Sequence, residues 1–125
     1  GLSQTATWKR VKRLETDGVI EKRVALVDGA KLGMGVTVFA TVRTSRHDED
    51  WLASFATAVS AISEVVEVYR LSGESDYMLK IVCSSIDHYD RIYKKLIRSA
   101  PLLDVSSSFA MEQIKYTTEI PLPAH

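Results

Sequence analysis

The stretch Val65–Ser84, VVEVYRLSGESDYMLKIVCS, leaves a chain of 125 residues few ways to fold. Two runs of strand-forming residues alternate with a period of two. Between them lies the polar turn Ser72-Gly73-Glu74-Ser75, with Asp76 and Tyr77 opening the second run. Period two bounded by a glycine-containing turn predicts a β-hairpin. Strict alternation puts Val66, Val68 and Arg70 on one face of the first strand and Val65, Glu67, Tyr69 and Leu71 on the other. In the second strand Tyr77, Leu79, Ile81 and Cys83 share a face, opposite Met78, Lys80 and Val82.

Helical patterns flank the hairpin. Upstream, Trp51, Phe55, Ala58 and Ile62, with Leu52 and Val59 beside them, form a stripe behind the acidic start His47-Asp48-Glu49-Asp50. Downstream, Ser85 or Asp87 can cap a helix with Ile86, Tyr89, Tyr93, Leu96 and Ile97 along one side, closed by Pro101. Val36–Thr44 alternates Val36, Val38, Ala40 and Val42 inward with Thr37, Phe39, Thr41 and Arg43 outward. Leu103 to about Lys115 reads as a final strand, and the proline-containing tail Tyr116–His125 is expected to lie on the surface. From residue 35 the order is therefore β-α-β-β-α-β. That predicts an α+β, ferredoxin-like domain whose antiparallel sheet carries both helices on one face. Two helices leave the other face bare, and its apolar residues favour pairing with a second copy.

Residues 1–30 read differently. Ser3 is an N-cap for a helix reaching about Asp17, and Gly18 supplies the stop. Thr7, Val11 and Leu14 make one narrow inward stripe, while Thr5, Trp8, Lys9, Lys12 and Thr16 occupy the broad opposite side, with Gln4 at the exposed first turn. Sixteen basic and sixteen acidic residues cancel over the whole chain. Residues 1–23, however, hold six basic against three acidic ones, and the body is acidic by the same margin. A basic head suits a polyanion, and such side chains can neutralise phosphates or reach base edges. Val19–Asp28 reads as one or two short strands, and Asp28–Gly35 as turns leading into the first sheet strand.

These residues resemble a known family. LSQTATWKRVKRLETDGVIEKRVALVDGAKLG is similar to the end of the helix-turn-helix domain of Lrp/AsnC transcriptional regulators, whose recognition helix opens with Leu-Ser. Its closing run appears here as Arg10-Val11-Lys12-Arg13-Leu14-Glu15-Thr16-Asp17-Gly18-Val19-Ile20. The body resembles that family's effector domain through Gly73-Glu74-Ser75-Asp76-Tyr77 and the closing Met111-Glu112-Gln113-Ile114-Lys115. The resemblance implies residues 1–30 as the closing part of a winged helix-turn-helix plus linker strand. Residues 31–125 become a ligand-binding and oligomerising domain of the dimeric α/β-barrel type. Family members carry two more helices before the position of Leu2, so DNA binding belongs to the intact protein.

The resemblance further implies a cytoplasmic, DNA-binding transcriptional regulator that senses a small effector, commonly an amino acid, at an interface between dimers. The homodimers assemble further, often to octamers. Carried over by position, the effector-binding residues are Ser72, Gly73, Glu74, Asp76, Tyr77, Ser107 and Phe109; the candidate DNA-contacting residues, from the chemistry of the first helix, are Gln4, Thr5, Trp8, Lys9, Lys12 and Arg13. The chemistry agrees: a glycine turn lets backbone N–H groups approach a carboxylate, and Asp76 can pair with an α-ammonium. Plain turn chemistry accounts for Gly73 and Asp76 equally well.

The same scaffold also carries enzymes, including small monooxygenases and AsnC-like tetrapyrrole decarboxylases. Such chemistry wants clustered His, Arg or Tyr side chains. His47, His88 and His125 have no metal-ligand spacing, and none forms a nucleophile–base pair with Cys83. No phosphate-loop glycine motif is present, and nothing calls for a cofactor. A sensor domain acting without DNA is a third possibility, against which the basic segment 9–13 argues. The single cysteine precludes an internal disulfide and fits a cytoplasmic setting. No apolar run approaches the roughly 20 residues that span a bilayer.

Overall fold

The computed structural model describes residues 3–102 and 104–124. Its first element is helix α1, Gln4–Thr16. The Ser3 side chain accepts the Ala6 N–H at its start, and Gly18, at φ 79°, turns the chain out of its end. That left-handed value is the conformation that favours glycine. No residue of α1 is buried, and Leu14 of the anticipated inward stripe stays 40% exposed.

The body follows the expected order. Strand β1 is Val36–Arg43, helix α2 Glu49–Ser60, strands β2 and β3 Val65–Arg70 and Tyr77–Cys83, helix α3 Ile86–Ser99, and strand β4 Asp104–Phe109. The four strands form one antiparallel sheet in the order β2-β3-β1-β4. Both helices start on caps: Asp48 accepts the Trp51 N–H, and Ser85 accepts the His88 N–H. The inward residues of β1 and β3 (Val38, Ala40, Val42, Leu79, Ile81, Cys83) are fully buried beneath Trp51, Phe55 and Val59 of α2 and Tyr89, Ile92 and Leu96 of α3. Each fully buried Val, Leu, Ile or Phe contributes about 1.5–3 kcal/mol through lost apolar surface. Trp51 stacks on Phe55 with centroids 5.0 Å apart, and its indole N–H donates to the Pro101 carbonyl at 2.9 Å. This bond ties the start of α2 to the α3–β4 connection.

Four expectations are corrected. A bulge at Val66 breaks the alternation of β2, because Val65 pairs with Ile81 but Glu67 with Lys80. Val65 and Val68 therefore both face the helices, and Val66 does not share a face with Val68. On α3 the buried stripe runs through Ile92, while Ile86 and Ile97 are exposed; Tyr89, Ile92 and Leu96 follow helical spacing more closely. The segment Val19–Asp28 pairs with no strand among the described residues, and Val24, Leu26 and Val27 are exposed. The final strand ends at Phe109, after which the chain runs on as exposed coil; Leu103, its expected start, lies outside the described residues.

The sheet face away from the helices carries Thr37, Phe39, Thr41 and Arg43 of β1 and Met78, Lys80 and Val82 of β3, as the register requires. Phe39 remains 37% exposed there.

Candidate functional site

On that open face the β2–β3 turn overhangs β1 and β4. Beneath it is a polar pocket of about 560 Å³ lined by Thr41, Arg43, Glu74, Ser75, Asp104 and Ser106. Strand register creates the floor: Thr41 lies opposite Ser106 and Arg43 opposite Asp104, so four polar side chains share one face of a two-strand ribbon. The turn supplies Glu74 and Ser75. One guanidinium thus stands among two carboxylates and three hydroxyls. Among the described residues, no ion pair within 4.0 Å joins Arg43 to either acid. Such a set can hold a small zwitterion, with its carboxylate on Arg43 and its ammonium on Glu74 or Asp104.

The seven effector residues anticipated from sequence are distributed unevenly. Glu74 lines the pocket, and Ser72 and Gly73 are exposed on the same turn. Gly73 does not have a left-handed φ, and a Cβ there would meet nothing within 4 Å, so this chain alone does not require glycine. Asp76 is half-buried and holds the turn. Its carboxylate accepts the Thr44 N–H at 2.8 Å, its N–H donates to the Val42 carbonyl at 2.8 Å, and its carbonyl accepts the Leu71 N–H at 2.8 Å.

Tyr77 is buried with its ring 5.1 Å from Phe55 and 5.7 Å from Trp51. It borders a smaller cleft, about 160 Å³, beside His47 and Arg70. Ser107 and Phe109 pair with Ala40 and Val38, which puts them on the helix side. There the Ser107 hydroxyl meets the Tyr89 hydroxyl, and Phe109 packs edge-on to Tyr89 at 5.5 Å. Burial pushes the Tyr89 phenol above its ordinary value. The structure thus adds Thr41, Arg43, Ser75, Asp104 and Ser106, which lie together only once β1 and β4 pair. The outward alternation of Thr41 and Arg43 was the available signal.

The other reactive groups are structurally engaged. His88 Nδ1 accepts the Ser84 N–H at 3.0 Å, which leaves Nε2 to donate to Glu64 at 2.8 Å. That bond holds the Glu64 carboxyl below its ordinary value. Cys83 is buried, and desolvation raises its thiol. Among the described residues no group of three or more His, Cys, Asp or Glu could hold a metal, and no helix is long and apolar enough to cross a membrane.

On α1 the candidate DNA-contacting residues Gln4, Thr5, Trp8, Lys9, Lys12 and Arg13 are all exposed, Trp8 at 64%. Arg13 lies 3.8 Å from Asp17; Lys9 and Lys12 make no ion pair among the described residues.

The model of the Lrp/AsnC ligand binding domain matches residues 37–120. The glutamate uptake regulatory protein of Zymomonas mobilis is 50% identical over 123 residues, which cover 98% of this chain and 75% of that protein. The DNA-binding transcriptional activator DecR of Escherichia coli is 46% identical over 122 residues, covering 97% and 80%. An AsnC family transcriptional regulator from Agrobacterium tumefaciens, solved as a crystal structure, superposes with a TM-score of 0.90 at 52% identity over 97% of this chain and 79% of that one. The L-Met complex of a transcriptional regulator from Neisseria meningitidis superposes at 0.87 with 29% identity, over 96% and 78%. A domain match over most of the body and relatives this similar over nearly the whole chain decide the matter: the protein belongs to the Lrp/AsnC family of transcriptional regulators.

Proposed function

We propose that the protein binds DNA through α1 and responds to an amino acid held in the pocket beneath the β2–β3 turn. The observation that carries this reading is the pocket's composition. Arg43, Glu74 and Asp104 offer both charge signs within one cavity of about 560 Å³. That complementarity is what a zwitterion's two ends require. The Neisseria relative solved with L-Met supports an amino acid as the class of effector, and DecR supports DNA as the target. The exposed basic residues Lys9, Lys12 and Arg13 then meet phosphates, with Gln4, Thr5 and Trp8 toward the groove.

The open sheet face gives the second half of the proposal. Phe39, Met78 and Val82 lie there with only partial cover, and a homodimer formed face to face buries them. Ser72 and Gly73, exposed at the rim, then lie where a neighbouring dimer can close the pocket, and dimers assemble to an octamer. Like any DNA-bound regulator of bacteria, the protein acts in the cytoplasm.

The test is a thermal-shift screen of the twenty amino acids, repeated on Arg43→Met. At least one amino acid raises the melting temperature of the parent chain. Arg43→Met lowers affinity for it by about tenfold to a hundredfold, the span of one lost charged hydrogen bond. An unchanged shift in the variant removes Arg43 from the site, and no shift with any amino acid defeats the effector reading.

A further inference from the structure

We propose that Asp76 is a positioning residue for the effector pocket, setting Glu74 and Ser75 over Arg43, rather than a contact to the effector itself. The inference rests on the proposed effector pocket, and it changes which side of the family-like Gly-x-x-Asp turn touches ligand. The geometry is local and complete. Three hydrogen bonds, each 2.8 Å, converge on Asp76: from the Thr44 N–H to its carboxylate, from its own N–H to the Val42 carbonyl, and from the Leu71 N–H to its carbonyl. Thr44 and Val42 flank Arg43, the pocket's cation. Leu71 and Asp76 flank the four turn residues, of which Glu74 and Ser75 line the pocket. Asp76 does not line it.

Asp76 therefore couples the two halves of the site across the end of the sheet, through two backbone bonds and one side-chain bond. Among the described residues, loop 72–75 itself makes no hydrogen bond to β1; the turn is tied to the end of that strand through the Asp76 N–H on the Val42 carbonyl and the Asp76 carboxylate on the Thr44 N–H. Released from Thr44, the turn keeps its backbone closure and its bond to the Val42 carbonyl but loses the second of its two fixings on either side of Arg43. A carboxylate accepting a buried backbone N–H is a strong, directional clamp. The bond needs an acceptor oxygen at that position, not a charge, so an asparagine side chain can supply it. A direct contact to an α-ammonium, by contrast, draws on the negative charge.

The experiment compares Asp76→Asn with Asp76→Ala by titration calorimetry against each of the twenty amino acids. Amide hydrogen exchange is measured in parallel on the ligand-free proteins. Asp76→Ala lowers affinity for the tightest-binding amino acid by about tenfold or more, on the scale of one misplaced charged contact. Asp76→Asn stays within about threefold, because it keeps the acceptor. In the absence of any amino acid, Asp76→Ala accelerates exchange of the Thr44 amide while Asp76→Asn leaves it protected. Equal loss of affinity in both variants overturns the proposal, since the charge itself is then what binds. So does a Thr44 amide that stays protected in Asp76→Ala. If no amino acid binds the parent chain, the effector reading is what fails, and the exchange comparison still decides whether Asp76 fixes the turn against β1.

Discussion

The two faces of the same sheet are finished to different degrees. On the helix side, Val38, Ala40, Val42, Leu79 and Ile81 have lost all contact with solvent within a single chain. On the other side, their immediate neighbours Thr37, Phe39, Thr41, Met78, Lys80 and Val82 lie at least partly open. Because successive residues of a strand point to opposite faces, one run of sequence serves both. The closed face supplies the stability of the monomer. The open face is where the proposed second copy and, at its polar end, the proposed effector would bind.

That contrast can be broken most decisively at β3, where Leu79 and Met78 are adjacent in sequence but face apart. Leu79→Ala destabilises the chain by about 2–5 kcal/mol in chemical denaturation, the usual cost of a cavity in a packed core. Met78→Ala costs less than about 1 kcal/mol at concentrations where the chain is monomeric, and its larger effect is on self-association. Equal losses in dilute monomer would mean that the open face is not open. A smaller effect concerns Glu64, whose carboxyl is held below its ordinary value of 4.5 by the bond from His88. A carboxylate with a lowered folded-state pKa contributes stability that is present above its unfolded value and is lost as pH falls through the folded one. Glu64→Gln therefore flattens the stability profile below about pH 4.5; a parallel acid limb in parent and variant would remove the His88–Glu64 bond as its cause. The smallest change in stability is expected for Gly73→Ala. With space around the site and no left-handed φ there, the monomer's stability moves by less than about 0.5 kcal/mol. Loss of amino-acid response in that folded variant identifies close approach by ligand or neighbour as the reason for glycine.

Much of the architecture was legible because burial on one face writes itself into sequence. The alternation Tyr77-Leu79-Ile81-Cys83 and the helix starts near residues 47–50 and at Ser85 or Asp87 needed no tertiary information, and the structure settles the caps as Asp48 and Ser85. The bulge at Val66 was hidden because consecutive valines fit either face, and only pairing with β3 shows which one is extra. Val19–Asp28 has strand composition without a strand partner, and propensity alone does not form a ladder. The pocket was harder still. In a run of three serines, Ser106 and Ser107 are chemically identical, and the register of β4 against β1 sends one to the pocket and the other to Tyr89. Asp76 carries chemistry that fits an ammonium and a backbone clamp equally, so its partner had to be seen.

The tripeptide Val42-Arg43-Thr44 gathers three duties into three consecutive residues. The first side chain is sealed in the core and its carbonyl anchors the turn; the second faces the cavity; the third lends its amide to Asp76. A substitution beneath α2 that tips this short segment by a few tenths of an ångström would shift the guanidinium and the overhanging loop together. If the proposed effector binds there, its affinity can thus be retuned from the molecule's interior, by residues that never meet the small molecule at all.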